Sequence, residues 1–97
     1  MSNYKNLPKM CPSCGKRLSV QVMHCACCNT HIEGDYHLPV MMQLSAEDQQ
    51  FILDFVMRSG SLKEMAQKLS LSYPTVRNRL DDIITQLIKF EADEKAD

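Results

Sequence analysis

The chain carries no surplus of charge in either direction. Lys and Arg number 11 and Asp and Glu 12, so the formal net charge is −1. A strongly basic chain would point to nucleic acid from composition alone, and this one does not. No apolar run approaches the ~18–20 residues of a membrane helix, so no membrane partner is expected. The opening MSNYKNLPKM holds neither an apolar signal core nor a cleavage site, which favours a cytoplasmic protein. Disulfides are rare in that compartment. No internal repeat or low-complexity tract is visible. A nucleophile–base set and a phosphate-binding loop are both missing, so the chain is not expected to be an enzyme. Its 97 residues suffice for one domain or two very small ones.

Cysteine is plentiful but confined. All five cysteines lie between residues 11 and 28, and an odd count argues against a purely disulfide framework. Residues 1–44 also hold all three histidines, three of four prolines and two of three glycines. Residues 45–90 hold no cysteine and have helical patterning. Charge divides the same way. Residues 1–44 carry four bases and two acids, 45–90 carry six of each, and 91–97 carry one base and four acids. The expected organisation is therefore α+β: a small module with its apolar linker at 1–44, an all-α domain at 45–90, and a frayed acidic tail at 91–97.

Cys11-Pro-Ser-Cys14-Gly15 forms one pair. Within MHCACCNT, pairing Cys25 with Cys28 gives a second Cys-x2-Cys ten residues later, the pattern of a four-thiolate zinc site. A turn that wraps two thiolates around one ion needs a left-handed residue just past the second cysteine. Gly adopts that conformation most readily and Asn next. Gly15 follows Cys14 and Asn29 follows Cys28, so Cys11, Cys14, Cys25 and Cys28 are the expected ligands and Cys27 the spare. Four protein thiolates leave no open position, so the zinc is expected to be structural. Iron in a similar site is an alternative, as are a redox role for Cys-Pro-Ser-Cys, a disordered or disulfide-linked arm, and His24 as a ligand. Leu18, Val20 and Val22 alternate with polar residues, predicting a half-buried strand. Ile32, Gly34, Tyr36 and Leu38 predict a further, third strand against the hairpin. A segment of this size buries too little apolar surface to fold alone, and metal binding would supply much of its stability.

In the second half, Ser45 is placed to cap a helix ending near Arg58, before Gly60. Its centre, FILDFVM, is apolar on more than one face and so calls for a partner beyond its own core. Ser61-Leu-Lys-Glu64 is a capping box opening a short helix with Leu62, Met65, Ala66 and Leu69 inward. Ser72 caps a third helix, with Pro74 tolerated in its first turn. Leu71 and Val76 are placed to form a staple over the turn. Val76, Leu80, Ile83, Ile84 and Leu87 form the third helix's inner face. A short helix, tight turn and longer helix constitute the helix-turn-helix plan, against the plainer alternative of a generic helical bundle.

With Val76 and Leu80 inward, the outer face offers Arg77 and Asn78, residue types that pair with guanine and adenine. Ser72, Tyr73 and Thr75 can hold phosphates, with Lys63, Lys68 and Arg79 adding backbone contacts. Asp81 and Asp82 lie beside this face and oppose phosphate binding. A monomer should therefore bind DNA weakly. A homodimer, using apolar surface at Ile84, Ile88 and Phe90, would double the contacts.

The stretch SLKEMAQKLSLSYPTVRNRLDDII resembles the helix-turn-helix of sigma factor region four and of LuxR-type regulators. Ser70 stands where such turns often carry Gly, so a slightly strained turn is expected. The chain to about residue 90 resembles a bacterial family that joins an N-terminal zinc ribbon to a C-terminal helix-turn-helix. CPSCG, CACC, IEGDYHLP and SLKEMAQKLSLSYPTVRNRL carry the resemblance. It implies the two-module fold, in a family whose function is unknown and for which transcriptional regulation is inferred from the modules. The leading expectation is a DNA-binding regulator whose binding weakens steeply with salt and is lost selectively in Arg77→Ala. The alternative is a protein-interaction adaptor that contacts RNA polymerase or a sigma factor without reading DNA.

Overall fold

The computed structural model of the chain describes residues 7–95. The first residues of the N-terminal segment and the last two of the acidic tail lie outside the described residues. The backbone divides into two compact units, Met1–Pro39 and Val40–Asp97.

The first unit is a two-stranded antiparallel hairpin with strands β1 (Val20–His24) and β2 (His31–Tyr36). Val22 faces Glu33, Met23 faces Ile32 and His24 faces His31, while Val20 faces Tyr36 across a bulge. Gly34 lies near that bulge, where a β-carbon would come within 2.7 Å of the Tyr36 ring, which would have to swing aside. A single bridge, Met10 to Arg17, closes the arm across the first cysteine pair.

The segment expected as a third strand is thus the second, since only an isolated bridge forms upstream of β1 among the described residues. The half-buried expectation holds for Leu18 and Val20 and fails at Val22. Val22, Met23, Ile32 and Tyr36 are exposed, because a two-stranded hairpin has little to cover its far end.

The second unit contains a 3-10 turn (Val40–Gln43) and three helices, α1 (Ala46–Met57), α2 (Leu62–Leu69) and α3 (Tyr73–Lys95). Serines open all three helices. Ser45 Oγ accepts the Asp48 amide and Ser61 Oγ the Glu64 amide, both at 3.1 Å, and Ser72 Oγ accepts the Thr75 amide at 3.3 Å. Between α1 and α2 the chain turns through Ser59 and Gly60, both at positive φ. Between α2 and α3 it turns at Ser70, with φ 56 and ψ 41. The following Leu71 amide donates to the Ala66 carbonyl at 3.0 Å, the bond pattern of a left-handed helix cap.

Leu44, Phe51, Met65, Val76 and Ile83 form the core, ringed by Ile52, Phe55, Leu62, Ala66, Leu69, Leu80, Leu87 and Phe90. Leu44, expected as linker, is fully buried in this helical core. Three side chains depart from expectation. Ile84 is 42% exposed and not inward, because the inner arc is filled by its neighbours Ile83, Leu80 and Leu87. Phe90, expected on a free apolar surface, packs on the core instead. Leu71, expected to staple the turn with Val76, is 43% exposed, and its amide bond to the Ala66 carbonyl is what closes the turn. Helix α3 also runs through Lys95, into the acidic stretch expected to fray.

Candidate metal centre and nucleic-acid interface

The two cysteine turns share one backbone design. The Cys11 carbonyl accepts the Gly15 amide and the Cys11 amide donates to the Lys16 carbonyl, both at 2.8 Å. In the second turn the Cys25 carbonyl accepts the Asn29 amide and the Cys25 amide donates to the Thr30 carbonyl, again both at 2.8 Å. Gly15 has φ 76 and Asn29 φ 64, the left-handed conformation the spacing argument requires after each second cysteine.

This geometry aims donors at sulfur. Backbone amides of Cys14 and Ser13, and then the Cys14 side chain, hold the Cys11 thiol below its ordinary acidity range. At Cys28 the largest cause is the Thr30 hydroxyl, followed by the Thr30 amide and the Cys25 side chain, and the thiol is again lowered. The Cys28 sulfur lies 2.9 Å from Thr30 Oγ1. Cys11 and Cys28 are therefore each within hydrogen-bonding reach of the other cysteine of their pair and of donors that favour the thiolate, which suits a soft, thiophilic cation. The two pairs are not gathered into one cage. Among the described residues, no group of three or more His, Cys, Asp or Glu side chains is placed to hold a metal ion. Cys27 is exposed.

Histidine has another place here. His24 Nε2 donates to Asn29 Oδ1 at 2.6 Å, and its ring meets that of His31 edge-on at 4.7 Å. His37 is exposed. Sequence reasoning missed the parts of Thr30, and of His24 with Asn29, because side-chain hydrogen bonds around a turn leave no periodic signal.

On the helical unit, Lys63, Tyr73, Thr75, Arg77 and Asn78 are exposed. Arg77 Nε lies 3.4 Å from Asp81, one helical turn on. Ser72 and Thr75 hydroxyls lie 2.7 Å apart within the cap of α3, so they already partner each other. Two residues expected as phosphate contacts also pair with acids within the fold. Lys68 pairs at 2.7 Å with Asp54, a buried acid on α1. Arg79 turns back to α1, reaching Asp48 at 3.6 Å and the Glu47 carbonyl at 3.4 Å, with its guanidinium 5.1 Å from the Phe51 ring centre. The cause is local. Each long side chain reaches a carboxylate on α1 across the helix packing.

Asp54 is the carboxylate with most at stake. The Lys68 ammonium holds it below the ordinary range, burial opposes that, and Gln50 adds a second hydrogen bond at 3.3 Å. This pair leaves no mark in the sequence, since Asp54 sits inside the apolar FILDFVM run.

Comparison with known families gives two matches. Residues 11–41 match the DUF2089 zinc ribbon, and residues 44–89 match the helix-turn-helix part described as a domain of unknown function (DUF2089). No curated protein and no solved structure matches the chain. No helix among the described residues is long and apolar enough to cross a membrane. Two turns of one design ahead of a capped helix pair, and two matches in the same order, lead to one assignment: the chain belongs to the DUF2089 family, a zinc ribbon followed by a helix-turn-helix, of unknown function.

Proposed function

We propose that the protein is a DNA-binding transcriptional regulator, acting as a homodimer in the cytoplasm, with a structural zinc ion in its ribbon. Cys11, Cys14, Cys25 and Cys28 are the proposed ligands. The matched turns and sulfur-directed amides support them, and zinc is preferred to iron because the family is a zinc ribbon. Thiolates repel one another, so drawing the two pairs onto one tetrahedral ion is work that the cation performs. A closed four-sulfur site supplies stability and not catalysis.

The observation that carries the DNA reading is the exposed start of α3 on a capped α2–turn–α3 unit. Tyr73, Arg77 and Asn78 lie there, with Lys63 on the neighbouring helix. Arg77 and Asn78 read base edges, Lys63 and Tyr73 meet the backbone, and Ser72 and Thr75 set the helix start. Selection from random duplexes tests this. Arg77→Ala should weaken the selected site by about 1–3 kcal/mol and relax one position. Absence of binding to any duplex at low salt would overturn the reading.

One observation favours a second reading, an adaptor of the transcription machinery. An apolar groove of about 480 Å³ runs along α1, lined by Met41, Ile52, Leu53 and Val56, with no charged side chain. Capture of RNA polymerase or a sigma factor, unchanged in Arg77→Ala, would select this reading.

A further inference from the structure

We propose that His24 and Asn29 form a latch across the second cysteine turn that sets how firmly this turn retains a metal ion. The inference rests on Cys25 and Cys28 being ligands, as proposed above.

The latch has three joints. His24 Nε2 donates to Asn29 Oδ1 at 2.6 Å, a bond that spans both Cys25 and Cys28. Asn29 is held at its other end by its amide, which donates to the Cys25 carbonyl at 2.8 Å. His24 is held in turn by its ladder position opposite His31 and by the edge-on contact of the two rings, at 4.7 Å and 69°.

In the first turn the left-handed residue is Gly15, which has no side chain to tie, and the reason is chemical. Gly15 takes φ 76 without a β-carbon to hinder it, and a β-carbon built there would meet nothing within 4 Å. Asn29 takes φ 64 with a side chain, which costs backbone energy even for Asn. The His24 bond offsets that cost by fixing the amide of the same residue. His24 is thus a positioning residue. It prevents the turn from relaxing and so keeps Cys25 and Cys28 pre-set around the ion. Partners that fix ligand geometry in this way alter metal affinity by about 10–100-fold.

The test uses the full zinc-loaded chain at one pH and follows metal transfer to an excess of chromogenic chelator. His24→Ala should speed release about tenfold. His24→Gln, which keeps a donor, should restore part of the retention. Asn29→Gly should release slowly, and in that background His24→Ala should have no further effect. A His24→Ala effect of equal size in both backgrounds would overturn the latch, as would no effect in either. Cys28→Ser separates the two readings. If it still holds the metal, the ligand assignment falls and takes the latch with it. If it loses the metal while His24→Ala releases at the original rate, only the latch falls.

Discussion

Asn29 and Ser70 solve the same backbone problem by different means. Both are left-handed, at φ 64 and φ 56. Asn29 is tied down by His24, whereas Ser70 depends on the helix cap around it. Ser70→Gly removes the β-carbon that makes this conformation costly. It should therefore stabilise the helical unit by up to about 1 kcal/mol, read as a higher thermal midpoint. A lower midpoint would mean that the serine side chain supports the turn. At the cysteines, Cys27→Ser should keep one metal per chain by native mass measurement, and Cys28→Ser should lose it. If those outcomes were exchanged, the register set by Asn29 would be wrong.

Between elements, α1 and α2 are joined by Lys68 and Asp54 as well as by Phe51 and Met65. The lysine holds the Asp54 carboxyl below its ordinary pKa in the folded chain. Its contribution to stability is therefore complete above the unfolded carboxylate value, near pH 4, and is lost as pH falls through the lower folded value. Urea midpoints measured from neutral pH downward should show wild type losing more stability in acid than Lys68→Met. Parallel curves would show that the pair does not contribute. The cap of α2 gives a simpler test, since Ser61→Ala should cost about 1 kcal/mol. That cap, like the caps at Ser45 and Ser72, was legible in the sequence because it depends on residue types three positions apart. The Lys68–Asp54 and Arg79–Asp48 pairs were not, because their partners lie on different helices. A basic side chain near a turn looks the same in sequence whether it waits for phosphate or is already paired.

For the whole molecule, those internal pairs change the expected DNA chemistry. Lys68, Arg77 and Arg79 each lie beside a carboxylate, of Asp54, Asp81 and Asp48, which leaves Lys63 as the cation on the proposed face without an ion pair among the described residues. Salt dependence should then be shallow, with a log–log slope of about −4 or less in magnitude for a dimer. A much steeper slope would require phosphate contacts from elsewhere, and the ribbon, with four bases to two acids over residues 1–44, would be the first place to look. Removal of zinc by a chelator should disrupt the ribbon and leave the far-ultraviolet helical signal intact, because the helical unit has its own core of Leu44, Phe51, Met65, Val76 and Ile83.

Sequence by itself determined what depends on near neighbours: two cysteine turns with left-handed residues behind them, three serine-capped helices, and a hairpin ahead of a helical unit. These follow from spacing, periodicity and backbone preference, which act over a few residues. Tertiary structure decided which side chains remain free. It paired Lys68 and Arg79 with Asp54 and Asp48, drew Leu44 into the core and Phe90 against it, left Ile84 and the strand side chains Val22, Met23 and Ile32 exposed, and tied His24 to Asn29. Each outcome depends on a partner brought close by folding, and on whether a layer lies above to exclude water, neither of which local sequence specifies.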